Sequence, residues 1–476
     1  MPCHRAFRRC VAGVVACIVL AGCAVGPNYQ RPTLDIGETY KEATDAPPGW
    51  KPVQRLDAST QAQWWLPFSD PELNRLMAAL PQGNMDLAQA QAQYRQAQAA
   101  LASTRAGFFP VVGASTGLSR SGQGARIDAG DNPSNTYSLS GTVSWEPDLW
   151  GKISRAAESD RAGVQASAAD VAGVRLSMQS ALAQTYFAVR VADAEIELLR
   201  RTVQEYERAF TMTQNRYAAG VAAPSDVAAA TVQLENARTQ LIRQGWQRAQ
   251  QEHALAVLVG RVPSAFALAA NAQVPQVPEI PVGVPSALLE RRPDVAAAER
   301  RVAQANARIG VAQAAWFPDL TLSAQGGYRA GVWTQWLSAP ALFWSLGPTL
   351  ALTLFDGGAR QAGMDAARAA HDAQTASYRQ TVLNAMREVE DYLVQTHSMV
   401  REQQTQARAL AAARETLRQV NDQYAAGIVD YLSVVQAQTS AFNAEQSALS
   451  LQAQRLAATV QLIAALGGGW GGLDIL

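Results

Sequence analysis

Apolar positions recur along this chain with two different periods, and the change of period marks its elements. In Thr136 to Glu146, Val143 and Trp145 alternate with Thr142 and Ser144, and in Asp319 to Ala330, Leu320, Leu322 and Ala324 alternate with Thr321 and Ser323. Period two with one apolar face predicts strands. Val111 to Ser121 and Trp344 to Phe355 complete a set of four, each about the 9–11 residues that a tilted strand needs to cross a bilayer. A Gly-, Ser- and Asp-rich loop (Ser121 to Asn135) and a tryptophan-bearing loop (Gly331 to Phe343) separate them. Elsewhere the period is seven. Leu182, Val189, Ile196, Val203 and Phe210 recur in register, interleaved with Thr185, Ala192, Leu199 and Tyr206, which is a heptad seam for packing against a neighbouring helix. Val382, Met386, Val389, Leu393 and Val400 repeat it less cleanly, because Thr396 and Gln403 interrupt. No proline occurs from Asp148 to Ala223 or after Pro348, so nothing stops very long helices there. A helix from Lys152 to about Arg216 would run roughly 100 Å at ~1.5 Å per residue.

The same design occurs twice. Residues 84–110 lie over 292–318 without a gap, aligning Asp86 with Asp294 and Phe109-Pro110 with Phe317-Pro318. Leu149 to Gly151 lies over Phe355 to Gly357, and Tyr217-Ala218-Ala219-Gly220 over Tyr424-Ala425-Ala426-Gly427. Matches in the same order, at offsets of 208, 206 and 207, identify a duplicated unit of about 207 residues, far longer than a solenoid repeat. Each copy reads as a helix, two strands and two very long helices, with Pro110 and Pro318 ending the first helix. The predicted organisation is a leader (1–22), an extended N-terminal segment (23–69), a first repeat (70–262), a Pro-rich linker (263–285), a second repeat (286–466) and a tail (467–476). The segments carrying Trp50, Trp64 and Trp65, and Pro263, Pro275, Pro278, Pro281 and Pro285, read as extended girdle pieces around the helices.

The amino end bears on where the chain goes. Arg5, Arg8 and Arg9 precede the apolar run Val11 to Ala21, the layout of a secretory leader too short to span a membrane. Leu20-Ala21-Gly22-Cys23 resembles a bacterial lipobox, which implies cleavage before Cys23 and lipid on its thiol and new amino group. Ala24, in place of the aspartate that retains lipoproteins at the inner membrane, points to the outer membrane. No later segment is apolar for eighteen residues, so a bilayer could be crossed only by a closed β-barrel, since lipid satisfies no open strand edge. Four strands cannot close one, so strands must be pooled from several copies. A long dimeric coiled coil would account for the helices and leave the strands without a role.

Composition mainly excludes. Forty basic and forty acidic side chains leave no net charge, which argues against nucleic acid or another polyanion as partner. All four cysteines lie at or before Cys23, so thiolate catalysis, disulfides and cysteine-held zinc are absent from the body. His253, His371 and His397 stand singly without metal-ligand spacing, no nucleophile–base constellation is visible, and no cofactor is implied; a non-enzymatic protein is expected.

Several strings together resemble the outer-membrane efflux protein family, the TolC-like proteins, and in particular its lipoprotein branch serving resistance-nodulation-division pumps. They are Cys23-Ala24-Val25-Gly26-Pro27-Asn28-Tyr29, Leu288 to Val295, Ile309-Gly310, Trp316-Phe317-Pro318, Phe355 to Gly358 and Ala465 to Trp470. The resemblance covers nearly the whole chain. It implies a mixed α and β membrane protein, a homotrimer whose four strands per protomer make a twelve-stranded outer-membrane barrel continuous with a long periplasmic α-helical barrel. It further implies passive conduction of drugs or other small molecules, with a periplasmic adaptor and an inner-membrane transporter as partners. A protein-exporting type I duct shares the fold, and a non-conducting anchored scaffold would need the strands to form a soluble sheet. By resemblance, the turns after Arg216 and Gln423 form the periplasmic tip that meets the adaptor, through Arg216, Gly220, Ser225, Asp226 and Gly427. Gln423 departs from the arginine usual there. Arg414, Arg418 and Asp422 are the candidates for a periplasmic gate, although the family's acid aligns nearer Asn421 and Asp422 equally reads as a solvated helix-end acid. Three copies of Asp422 about an axis would repel unless arginine or a cation bridges them.

Overall fold

The computed structural model describes residues 24–34, 40–43, 63–122, 133–278 and 292–470. Cys23, Trp50, Leu288 to Arg291 and most of the loop between the first two strands lie outside the described residues.

The elements follow in the order α1 (Pro71–Gly83), α2 (Met85–Ala106), β1 (Val111–Ser121), β2 (Ser134–Trp145), α3 (Lys152–Ala218), α4 (Pro224–Leu258), α5 (Pro293–Ala314), β3 (Asp319–Ala330), β4 (Leu342–Ala351), α6 (Ala359–Ala425) and α7 (Tyr431–Ala465). The order helix, strand, strand, helix, helix occurs twice. Both α3 and α6 have 67 residues, and both α4 and α7 have 35. The second helix of each hairpin is therefore half as long as the first, shorter than the sequence suggests. α4 ends in a left-handed glycine turn, in which Arg261 N bonds Ala256 O (2.8 Å) and Gly260 N bonds Val257 O (3.0 Å). Gly260 takes φ +70° and lies so close to Gly83 that a Cβ would sit 1.9 Å from the Gly83 carbonyl oxygen, an approach only glycine permits. The first helix of copy one is also preceded by α1, divided from α2 at Asn84, whose amide donates to Leu258 O (3.0 Å) and accepts from Leu87 N (2.9 Å).

Contacts divide the chain into two units. One comprises Met1–Thr33, Gln93–Ser167 and Ala297–Arg379, and holds the sheet; the other comprises Leu34–Ala92, Ala168–Ala296 and Gln380–Leu476, and holds the main apolar core. That core gathers Trp64, Trp65 and Phe68 with Leu73, Leu76 and Leu80 of α1, Leu182, Tyr186, Phe187 and Val189 of α3, and Leu456 and Val460 of α7. The heptad positions Leu182 and Val189 serve it; farther along, Ala192, Ile196 and Leu199 are also buried, and Tyr206 packs with Leu234 and Ala237 of α4 in a separate cluster. The girdle segment 266–271 is fastened by a buried charge network. Asp193 accepts from Arg248 Nε (2.9 Å) and from Asn271 N (2.9 Å), while Arg190 donates to Ala269 O (2.8 Å) and Arg248 to Leu268 O (2.7 Å). Each buried charge thus has an opposite charge or a carbonyl, the condition under which burying it is tolerable. Tyr186 Oη donates to Asp70 (2.6 Å), and burial together with that carboxylate holds its phenol protonated well above the usual range.

Candidate functional site: a two-faced sheet and two helical turns

The four strands form one antiparallel sheet in the order β1-β2-β3-β4. β1 and β3 coincide with the sequence reading, and β2 starts two residues sooner and ends one sooner. β4 was expected over Trp344 to Phe355 and instead occupies Leu342–Ala351. Its apolar alternation continues through Leu352 and Leu354, but pairing stops where Asp319 opposes Ala351, because Pro318 precedes Asp319 and β3 has nothing further to offer.

The ladders carry no bulge, so the pleat sorts residues into two faces across all four strands. One row runs Val112, Val143, Ala324, Leu346 and another Ala114, Gly141, Gly326, Trp344. On this face Trp344 is 79%, Leu346 75% and Leu350 66% exposed. Large side chains so open, in a contiguous band, suit contact with hydrocarbon rather than water. The opposite face is built of hydroxyls: Ser115, Ser138, Ser140, Thr142 and Ser144 belong to it, and Ser115 and Ser140 hydrogen-bond at 3.0 Å. At the helix-joined end of the sheet, Trp150 stacks on Phe317 (4.9 Å) and donates to Pro318 O (2.8 Å), and Trp145 donates to Phe108 O (3.0 Å).

The residues after Cys23 form a strap in this same unit. Val25 N donates to Trp150 O (3.1 Å); buried Arg155 donates to Val25 O (3.0 Å), Gly26 O (3.1 Å) and Asn28 Oδ1 (3.0 Å); Asn306 donates to Pro27 O (3.0 Å). Gly26, at φ +101°, lies against Gly310, where a Cβ would come within 2.4 Å of Cα. Tyr29 donates to Glu299, and burial, then that carboxylate, raises its pKa. The Gly26 and Gly310 that mark the family resemblance are therefore a packing pair.

The two turns lie in the other unit. After α3, Gly220 takes φ +74°; after α6, Gly427 takes φ +76°. Arg216 reaches across the duplication, its guanidinium 4.6 Å from the Tyr424 ring centroid, and Tyr424 packs on Tyr431 at 5.7 Å. Ser225 stands in the first turn of α4, and Asp226 accepts from Ala223 N (3.1 Å), capping that helix behind Pro224. The gate candidates separate into two contacts. Arg414 pairs with Glu445 (2.6 Å), whereas Arg418 bridges Glu415 (2.7 Å) and Asp422 (3.0 Å). Within each chain Asp422 thus already has an arginine. Glu415, absent from the sequence reading, is held down to about 2 by its bonds from Arg418 and then Gln419; its signal was the i,i+3 spacing to Arg418.

Arg292 of the Arg-Arg-Pro-Asp string is buried. It donates to Asp294 (2.6 Å), Glu388 (2.7 Å) and Ala465 O (3.3 Å). Burial alone would lower its pKa, but Asp294 and Glu388 outweigh that and raise it. Its role is to join α5, α6 and the end of α7.

A fold of this kind, two-faced strands with paired long helices, defines the TolC-like outer-membrane channels. The model of the outer membrane efflux protein family matches residues 76–261 and 284–468, and the chain belongs to that family, which serves transport. It is 32% identical to the pyoverdine export outer membrane protein OpmQ of Pseudomonas aeruginosa, over 96% of each chain. To the outer membrane protein OprJ of the same species it is 31% identical, over 97% of this chain and 96% of that one. The solved outer-membrane channel OprN, 29% identical, superposes with a TM-score of 0.86 over 94% of this chain and all of its own.

Proposed function

We propose that this protein is the outer-membrane exit duct of a tripartite efflux pump of the resistance-nodulation-division type, a passive conduit for small molecules. The observation that carries the reading is the sheet: one apolar exposed face, one hydroxyl face, and outer edges on β1 and β4 without a partner strand among the described residues. In hydrocarbon each such edge leaves backbone groups unsatisfied at several kcal/mol apiece, roughly, and three copies joined β4 to β1 remove every edge in a twelve-stranded barrel. The hydroxyl face then lines water. Lipid on Cys23 adds an anchor, the turns bearing Arg216, Gly220, Ser225, Asp226 and Gly427 meet a periplasmic adaptor, and Arg414, Arg418 and Asp422 govern closure of the periplasmic end. Energy and choice of cargo belong to the inner-membrane transporter, and this chain catalyses nothing.

The test is the native mass of the detergent-solubilised protein extracted from outer membranes. Three protomers are expected. A stable monomer would leave the strands unable to enclose a pore, and an anchored scaffold would replace the duct.

A further inference from the structure

The hydroxyl face of the sheet is uniform except at one place. Along its rows, Gly117 opposes Ser138 and Ser138 opposes Arg329; one row further in, Ser115, Ser140, Gly327 and Phe343 follow one another. Arg329 and Phe343 are the two bulkiest side chains of the face, the rest being Gly, Ala, Ser, Thr, Val and Gln, with Asp319 at the opposite end. They touch: the Arg329 guanidinium lies 4.7 Å from the Phe343 ring centroid. Such stacking lays the guanidinium along the wall while leaving its charge and donors open. Gly327 leaves the space beside the ring, and glycine is required there because a Cβ would fall 2.0 Å from Leu139 O.

The two charged positions of this face differ in company. Asp319, where the sheet joins the helices, has Lys152 Nζ at 3.3 Å, and the same ammonium lies 3.1 Å from Glu146. Arg329 sits at the other end, beside the loop to β4, and no carboxylate among the described residues pairs with it. Fixed charge on a narrow low-dielectric wall concentrates counter-ions by about 10-fold or more.

We infer that Arg329, laid on Phe343 and repeated by the other protomers, forms a cationic collar at the outward end of the strand-lined duct that favours anions leaving it. This rests on the exit-duct reading. It adds a selectivity element on this chain, in the unit that holds the sheet, acting on cargo of anionic character and most strongly on multivalent anions.

The experiment is recording of the full-length trimer in planar bilayers under a KCl gradient, with inositol hexakisphosphate then added to the loop side. Arg329→Ala should shift the reversal potential toward K⁺, Arg329→Glu further, and block by the hexakisphosphate from the loop side should weaken about tenfold. Arg329→Lys, which keeps the charge, should retain the block. Phe343→Ala should raise conductance, the collar having lost its ring. Variants that conduct with wild-type selectivity and block would overturn the collar while leaving the duct intact, as would a lysine variant that behaves like the glutamate one. Wild-type protein that does not conduct would remove duct and collar together.

Discussion

The two helical turns are copies of one segment, and their backbones agree closely. Gly220 N bonds Tyr217 O at 2.9 Å and Val221 N bonds Arg216 O at 2.9 Å; Gly427 N bonds Tyr424 O at 3.1 Å and Ile428 N bonds Gln423 O at 2.9 Å. Their side chains have parted. Tyr424 is 7% exposed, covered by Arg216 and Tyr431, whereas Tyr217 is 49% exposed. The residue that would cover a tyrosine from the second turn is Gln423, which lacks the guanidinium. The following helices are capped differently too, by Asp226 reaching back to Ala223 N and by Asp430 accepting from Ser433 N (3.0 Å) and Oγ (2.7 Å). Duplication therefore fixed a turn geometry, while single substitutions decided which turn binds within its own chain and which leaves an aromatic ring for something else.

That contrast is sharpest at the tyrosines. Tyr424→Ala should cost about 3–5 kcal/mol, as for other large buried rings, and Tyr217→Ala less than about 0.5 kcal/mol. Hydrogen exchange at the ends of α3 and α6 in micelles would read the difference, and equal protection in both variants would show that the asymmetry has no energetic content. A smaller effect is expected from making the turns alike. Arg216→Gln should loosen the same residues by roughly 0.5–2 kcal/mol, the range for a cation over an aromatic face, and should speed limited proteolysis there; the reciprocal Gln423→Arg should leave Tyr424 protected.

The smallest effect concerns the exposed chain Glu415–Arg418–Asp422. The folded pKa of Glu415 lies below its ordinary value, so its contribution is complete above that value and disappears as the pH falls toward about 2. Exchange protection around Asp422 should accordingly hold at pH 5 and drop near pH 2, and Glu415→Gln should abolish the dependence. Asp422→Ala frees Arg418 from one of its two carboxylates and should increase leak conductance through the closed channel. A trace like the wild type would move the gate elsewhere.

Much of this was legible because the residues that set it are local. Alternation with Pro318 before it located β3 to the residue, Pro110 marked where β1 begins, and the absence of proline allowed 67-residue helices. β4 was misplaced because alternation reports a face, whereas a strand ends where its partner ends, at Asp319. The approach of Gly83 to Gly260 joins residues far apart in sequence, and α1 precedes Asn84, where the gapless match between the two copies begins. At the turns the glycines were readable, but the burial of Tyr424 under an arginine some two hundred residues away was not. Arg329 and Phe343 escaped notice since their relation exists only through the β3–β4 register.

The strap from Ala24 to Tyr29 changes what an acyl group on Cys23 would be. A lipid on a flexible leader acts as a leash, whose effective concentration at the membrane falls as its length grows. Here Val25 is already bonded to Trp150 O, two residues past the attachment point. The acyl chains would leave the protein at the seam where β2 gives way to α3, and move with it as one body. Such a lipid works as a hem stitched to the edge of the barrel, fixing how deep that edge sits rather than merely keeping the protein nearby.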